Sequence, residues 1–166
     1  QFNGVSCNRI ARLNANGSLD ATFDPGTGAD FQVANIEVQP DGQIIVVGSF
    51  LVFNGTVSPT VVRLNPNGSV ESKSTFDIGS GASALVTSSR LQTDGKILIM
   101  GGFARWNESD TGRPLRLNPN GSRDFTFSVG SGGNGDVHVQ LGDGRHVIAG
   151  SFTTFNGTAR KRVVRV

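Results

Sequence analysis

This chain has one cysteine, one tryptophan, one methionine and no tyrosine among its 166 residues. Cys7, being alone, cannot form a disulfide within the chain and gives no metal-site spacing. No apolar run approaches the roughly 18–20 residues that cross a bilayer as a helix. The segment Gln43-Ile44-Ile45-Val46-Val47-Gly48 is much shorter and reads as a strand buried on both faces. Long amphipathic patterns of helical period and heptads are missing too. The formal net charge of +2 does not argue for nucleic acid, which calls for a basic stripe interleaved with aromatics. Neither a membrane span nor a nucleic-acid partner is expected. No signal peptide is visible, and Gln1 stands in mid-pattern, so a removed leader or upstream region is expected. Little lysine, few cysteines and much Gly, Asn, Ser and Thr suit a secreted or cell-surface bacterial protein.

What the chain does have is repetition. Arg12-Leu13-Asn14-Ala15-Asn16-Gly17-Ser18 returns as Arg63-Leu64-Asn65-Pro66-Asn67-Gly68-Ser69 and as Arg116-Leu117-Asn118-Pro119-Asn120-Gly121-Ser122. Periods of about fifty residues belong to architectures in which one supersecondary unit stacks on the next. Each unit carries four landmarks. An aromatic-Asn pair stands at Phe2-Asn3, Phe53-Asn54, Trp106-Asn107 and Phe155-Asn156. The Arg-Leu-Asn frame follows. Then comes Phe-x-x-Gly-x-Gly, from Phe23, Phe76 and Phe127. Last is an Asp-Gly turn leading through an apolar run to Phe50, Phe103 or Phe152. The spacing from that Phe to the next Arg is constant (Phe50 to Arg63, Phe103 to Arg116, Phe152 to Arg165). Of the 11 phenylalanines only Phe31 and Phe125 fall off these landmarks, so the rest read as packing between units.

Strand patterns fill the spaces. Ala34 to Gln39 alternates up to the turn Pro40-Asp41-Gly42, and Gln43 to Phe50 follows as a buried run. Thr60 to Asn65 and Ser69 to Phe76 flank the Asn67-Gly68 turn. Two hairpins per period give strands A, B, C and D of a propeller blade. The expected fold is therefore all-β, a single repeat array over 1–166. It comprises a partial blade at 1–33 (strands C and D), blades at 34–76 and 86–127, and a partial blade at 136–166 (strands A to C). The third strand A alternates only if its turn gains a residue, as a bulge would supply.

The run Phe-Asn-Gly…Arg-Ile-Ala-Arg-Leu-Asn-x-Asn-Gly-Ser-Leu-Asp-x-Thr-Phe-Asp-x-Gly-x-Gly…Gln-Pro-Asp-Gly-Gln-Ile…Gly-Ser-Phe resembles the delta-60 repeat family of bacterial β-propeller-like proteins. The match is closest over Phe2–Phe53 and loosest from Asn107 to Phe152. The resemblance implies a propeller in large, exported, surface-associated proteins and implies no activity.

About three units fall short of the four to eight blades of ordinary propellers. The ring is expected to be completed by further copies of the chain or by the remainder of a longer one. The expected function is a non-catalytic structural or binding scaffold presenting loops and blade edges to a protein partner or to further copies. The alternative is a carbohydrate-binding propeller. For a glycan, the candidate residues are Phe31, Trp106, Asn107 and Asp110, because Trp106 replaces the usual Phe and its loop lacks the Gly.

Other candidates read as structure. Asn14, Asn16, Ser18 and Asp20 set oxygens around a glycine like a diluted Ca²⁺ loop, but one carboxylate is meagre and tight-turn capping accounts for them. No cofactor is expected. The sequons at Asn16, Asn54, Asn67, Asn107, Asn120 and Asn156 are mostly Asn-Gly turn dipeptides. His138 and His146 have no carboxylate at metal spacing and are expected to be structural or exposed. Gly130 to Gly135 has no following helix or lysine to cradle a phosphate. Arg160, Lys161, Arg162 and Arg165 form the cationic cluster, split between strand faces. Arg12, Arg63, Arg116 and Arg165 recur once per blade, which suggests a hydrogen bond to a neighbouring loop carbonyl or carboxylate.

Overall fold

A computed structural model describes residues 1–133 and 135–166, and among them every regular element is a strand. The first complete unit contains β1 (Val33–Val38), β2 (Ile44–Gly48), β3 (Val52–Phe53), β4 (Thr56–Val57) and β5 (Val61–Leu64). The second repeats it as β6 (Val86–Leu91), β7 (Ile97–Gly101), β8 (Arg105–Trp106), β9 (Ser109–Asp110) and β10 (Leu115–Leu117). The third has β11 (Gly135–Gln140), β12 (His146–Gly150), β13 (Thr154–Phe155), β14 (Thr158–Ala159) and β15 (Val163–Arg165). Three antiparallel sheets result, β1-β2-β5, β6-β7-β10 and β11-β12-β15, each with a two-residue ribbon inserted between its second and third strands.

Turn chemistry sets the register. Gly42 takes φ +84° and donates to Gln39 O at 2.9 Å, while Asp41 Oδ1 accepts from Gln43 N at 3.0 Å. A residue with φ > 0 is what a tight hairpin of this hand needs, and Ile44 then pairs with Val38. The bulge expected at the third turn lies elsewhere. The register shifts at the entry of strand A, between Gly135 and Val137, and the other sheets shift in the same place, between Val33 and Asn35 and between Val86 and Ser88.

The fourth strand is shorter than its pattern suggested. Beyond the Asn-Gly turns it survives as single bridges, Leu13 to Leu19, Leu64 to Val70 and Leu117 to Arg123. The ladder runs as far as Glu71 N on Arg63 O, 2.9 Å. A turn closed by Thr75 N on Ser72 O then drops Phe76 into the core. Burying that ring removes more apolar surface from water than two further ladder bonds would recover. The first unit is reduced further, to the single Leu13–Leu19 bridge across Asn16-Gly17 and the Phe2–Val5 bridge across Asn3-Gly4.

Period-two alternation explains why β2 is apolar throughout. Ile44 and Val46 face the first unit, joining Ile10, Phe23, Ala29, Phe50, Phe53, Val62 and Leu64. Ile45 and Val47 face the second sheet, in a core with Val61, Phe76, Ile97, Ile99, Phe103, Trp106 and Leu117. The core is thus a stack of seams between sheets. β1 packs on β6, and β6 on β11. No comparable packing joins β11 back to β1 among the described residues, so the ring is not closed.

Candidate functional site

The most heavily built polar features lie where one unit meets the next. Arg63 is 7% exposed. Its guanidinium pairs with Glu71, lies 4.4 Å over the Phe76 ring, and donates from Nη1 to Pro119 O of the following unit at 2.7 Å. Arg12 does the same with Asp20 (2.8 Å), Phe23 (4.9 Å) and Pro66 O (2.5 Å). Arg116 holds Asp124 at 2.7 Å and lies 4.5 Å over Phe127. At Arg12 and Arg63 the recurring arginine is therefore a strap, tied to its own hairpin by a carboxylate and to the next hairpin by a carbonyl, while among the described residues Arg116 holds its own hairpin alone. The expected hydrogen bond is present at Arg12 and Arg63.

The carboxylates respond to these contacts. Thr22 Oγ1 and Thr22 N, with Arg12 behind them, hold Asp20 down at about 2. Arg63 holds Glu71 below the usual range against the opposing effect of burial. Burial alone would raise Asp124, but hydrogen bonds from Thr126, Lys96 and Arg116 overcome it and keep the group well below the ordinary aspartate range.

A second joint uses the ribbons. Asn54, Asn107 and Asn156 sit at their tips with φ near +50°, followed by Gly55, Glu108 and Gly157, also at positive φ. This is the backbone of a two-residue hairpin turn with both central residues left-handed. Asn54 Oδ1 accepts from Thr27 N at 3.0 Å, and Asn107 Oδ1 from Gly81 N at 2.9 Å, each in the preceding unit's Gly-x-Gly loop. Gly79 explains the glycine there. It takes φ +70°, and a Cβ would stand 2.6 Å from Asn107 Oδ1, inside contact distance. The sequence marked these Asn and Gly positions without revealing that they clasp each other across the joint. The two-residue ribbons carry no periodicity that a pattern could detect.

The four glycan candidates do not share one surface. Trp106 is 1% exposed and packs edge-on against Phe103 at 5.9 Å. Its ring has no face for a sugar, and its Nε1 has no partner. Asn107 is occupied by the clasp. Phe31 is 61% exposed, in an open hollow with Arg9, Gln32 and Val33, and Asp110 lies exposed at the end of β9. At the Ca²⁺ candidates the oxygens are engaged internally: Asn16 Oδ1 accepts from Ser18 N (3.0 Å) and Ser18 Oγ (2.7 Å), Asn14 Nδ2 donates to Ser18 Oγ, and Asp20 is tied to Arg12 and Thr22. Among the described residues no three His, Cys, Asp or Glu side chains cluster for a metal. Arg160, Lys161, Arg162 and Arg165 are exposed. His138 and His146 are both buried and meet each other, Nε2 to Nδ1, at 2.7 Å.

Antiparallel sheets stacked through apolar seams, strapped from hairpin to hairpin at Arg12 and Arg63, and not closed among the described residues, make this an array of β-propeller blades. The chain belongs to the β-propeller family described as a domain of unknown function, DUF5122, whose model matches residues 1–23, 39–72, 92–127 and 141–166. The matched segments contain the straps, the turns and the second strands and omit every first strand, β1, β6 and β11. No curated protein and no solved structure matches the chain, and no helix among the described residues is long and apolar enough to cross a membrane.

Proposed function

We propose that the chain is a non-catalytic scaffold of the delta-60 repeat type, in an exported or cell-surface protein, and that its outward sheet faces take up further blades of the same kind. The observation that carries this reading is one face of β11-β12-β15. Val137, Val139 and Val163 there are 60%, 52% and 54% exposed. Val163 pairs with Ala149 as Val61 pairs with Val47, and Val61 is 1% exposed because the next sheet covers it. The terminal face thus has the register of an internal seam. It is also more apolar than its counterparts, since Val137 and Val139 stand where β1 has Asn35 and Glu37. Adjacent exposed apolar side chains on a sheet face mark an interaction surface. The occupant we assign is a blade from a second copy. In a longer chain the next repeat would take the same seat. The non-catalytic reading is supported by the two buried charges Arg63 and Asp124, both engaged in ion pairs within the blade array.

Solution mass by light scattering tests this. We expect species above the 17.4 kDa of one chain, returning to that mass in Val163→Lys. A wild-type chain that stays at one copy over the whole accessible concentration range would remove the assigned occupant.

A further inference from the structure

The chain's two histidines lie in the last seam, where β11 and β12 meet the sheet before them. His146 occupies the register position of Ile44 and Ile97: it pairs with Gln140 as Ile44 pairs with Val38 and Ile97 with Leu91. His138, opposite Ile148, stands where β1 has Ile36 and β6 has Ser89. Neither joint elsewhere needs an imidazole. Both rings are 4% exposed. The edge of one aromatic ring meets the face of the other where Phe127 packs on His146 at 5.6 Å, and Arg116 covers Phe127. His138 Nδ1 is buried with no partner.

We propose that the His138–His146 pair is an acid-operated latch: with both rings neutral it closes the last sheet onto its neighbour, and proton uptake releases that sheet. The chemistry follows from proton count. The neutral pair carries two protons on four ring nitrogens: with His138 Nε2 donating to His146 Nδ1, the other proton is on His146 Nε2 and His138 Nδ1 is bare. A first added proton charges a ring inside an apolar seam. On His138 it creates an N–H at Nδ1, where no acceptor waits. A second proton leaves no acceptor between the rings and breaks the bond. The charges acting on the pair from the neighbouring sheet are Arg90 on β6, Arg116 on β10 and Asp94 in the turn before β7. Lys96 and Asp124 stand behind Arg116. Of the three acting charges, Asp94 alone favours an imidazolium.

The direction of the effect is set by linkage. Burial, then His146, then Arg90 pull His138 down to about 4, and burial and Arg116 pull His146 down against Asp94. In an opened sheet both would titrate near the ordinary value of about 6.5. Between those limits the open form binds more protons than the closed one, so closure weakens as pH falls through the window. The carboxylates of the straps titrate lower and do not account for a loss there. Release would uncover Ile148, Phe152 and Phe155. The latch does not depend on the scaffold reading.

Amide hydrogen exchange on the intact chain, stepped from about pH 7 to pH 4 and corrected for intrinsic rates, tests it. Protection of β11, β12 and β15 should fall about tenfold or more relative to β1 and β2, and the fall should vanish in His138→Ser/His146→Ile, which restores the residues of the second blade. The proposal is overturned if the sheets keep pace in the wild type, or if the double variant loosens over the same window. Histidine ring resonances of the wild type give a check independent of that variant. Rings that protonate near the ordinary value with β11 and β12 amides still protected would also overturn it.

Discussion

The seam between the sheets of 34–76 and 86–127 and the seam between those of 86–127 and 136–166 use the same backbone positions with different fillings. The middle seam is a continuous apolar layer, with Ile45, Val47, Ile97, Ile99, Phe103 and Trp106 all at 0–1% exposure. Its strap is complete: Arg63 reaches both Glu71 and Pro119 O. The last seam has a smaller apolar cluster of Val129, Ile148, Phe152, Phe155 and Val164. An imidazole stands there at the position of Ile97, and Arg116 makes no bond to a later hairpin among the described residues. The comparison separates what the repeat needs from what a single copy can vary. Register, turn and strap carry the architecture, and the filling sets how firmly and under what conditions each joint holds.

The sharpest way to break this comparison is to truncate the aromatic that heads each ribbon. Trp106→Ala should cost about 3–5 kcal/mol, in the range for a large ring removed from a seam that cannot collapse. Phe155→Ala, at 4% exposure in the smaller cluster, should fall toward the low end of the same range. Urea unfolding followed by circular dichroism measures both. Equal losses would mean that the two seams are equally tight despite their different filling.

The straps offer a second contrast. In Arg63→Ala the Glu71 carboxylate loses its cation while remaining buried, which should cost about 3 kcal/mol. In Arg116→Ala, Asp124 keeps Lys96 at 2.9 Å and Thr126 at 2.6 Å, and about 1 kcal/mol is expected. The pH dependence has a definite sign. Glu71 has a lowered folded value, so its stabilisation is present above the ordinary glutamate range and is lost as pH falls through that lowered value. Arg63→Met/Glu71→Leu should remove that acid dependence and recover most of the stability lost in the single variant. A double variant as acid-sensitive as the wild type would place the effect elsewhere.

The cassette was legible because its signals are local. Asn-Gly and Asp-Gly turns fix φ > 0, and runs such as Ile44 to Val47 announce a strand covered on both sides. The recurrence of Arg at a fixed place suggested a strap, although its acceptor lies more than fifty residues away, from Arg63 to Pro119. The repeat frame overstates the fourth strand because it carries a hairpin from Asn67-Gly68 through to Phe76, whereas Ser72 to Thr75 is polar throughout and turns there to bury the ring. The histidine pair was hidden by one residue of register. A bulge placed at the Asp143-Gly144 turn would send His138 and His146 to opposite faces. With the bulge at Gly135, His138 becomes the diagonal neighbour of His146. Trp106 stands out as a glycan candidate because it replaces the usual Phe and its loop lacks glycine, yet the ribbon still forms and carries the ring inward.

That missing glycine supplies the smallest and cleanest test. Ribbon tips elsewhere have Gly4, Gly55 and Gly157 at φ +79°, +70° and +72°, while the ribbon of the middle seam has Glu108 at φ +64°. An L-residue in this region crowds Cβ against backbone, at about 1–2 kcal/mol per residue. Glycine relieves the crowding but gains freedom in the unfolded chain, which offsets part of the benefit. Glu108→Gly should therefore stabilise by about 1 kcal/mol and raise Tm by roughly 2–4 °C. Gly157→Glu should reverse the sign in the last seam by a similar amount, because Asn156 N on Gly132 O, 3.2 Å, holds its ribbon as Asn107 N on Gly81 O, 2.9 Å, holds the other. A neutral or destabilising Glu108→Gly would mean that the glutamate makes a compensating contact, and that the two ribbons differ in more than their tips.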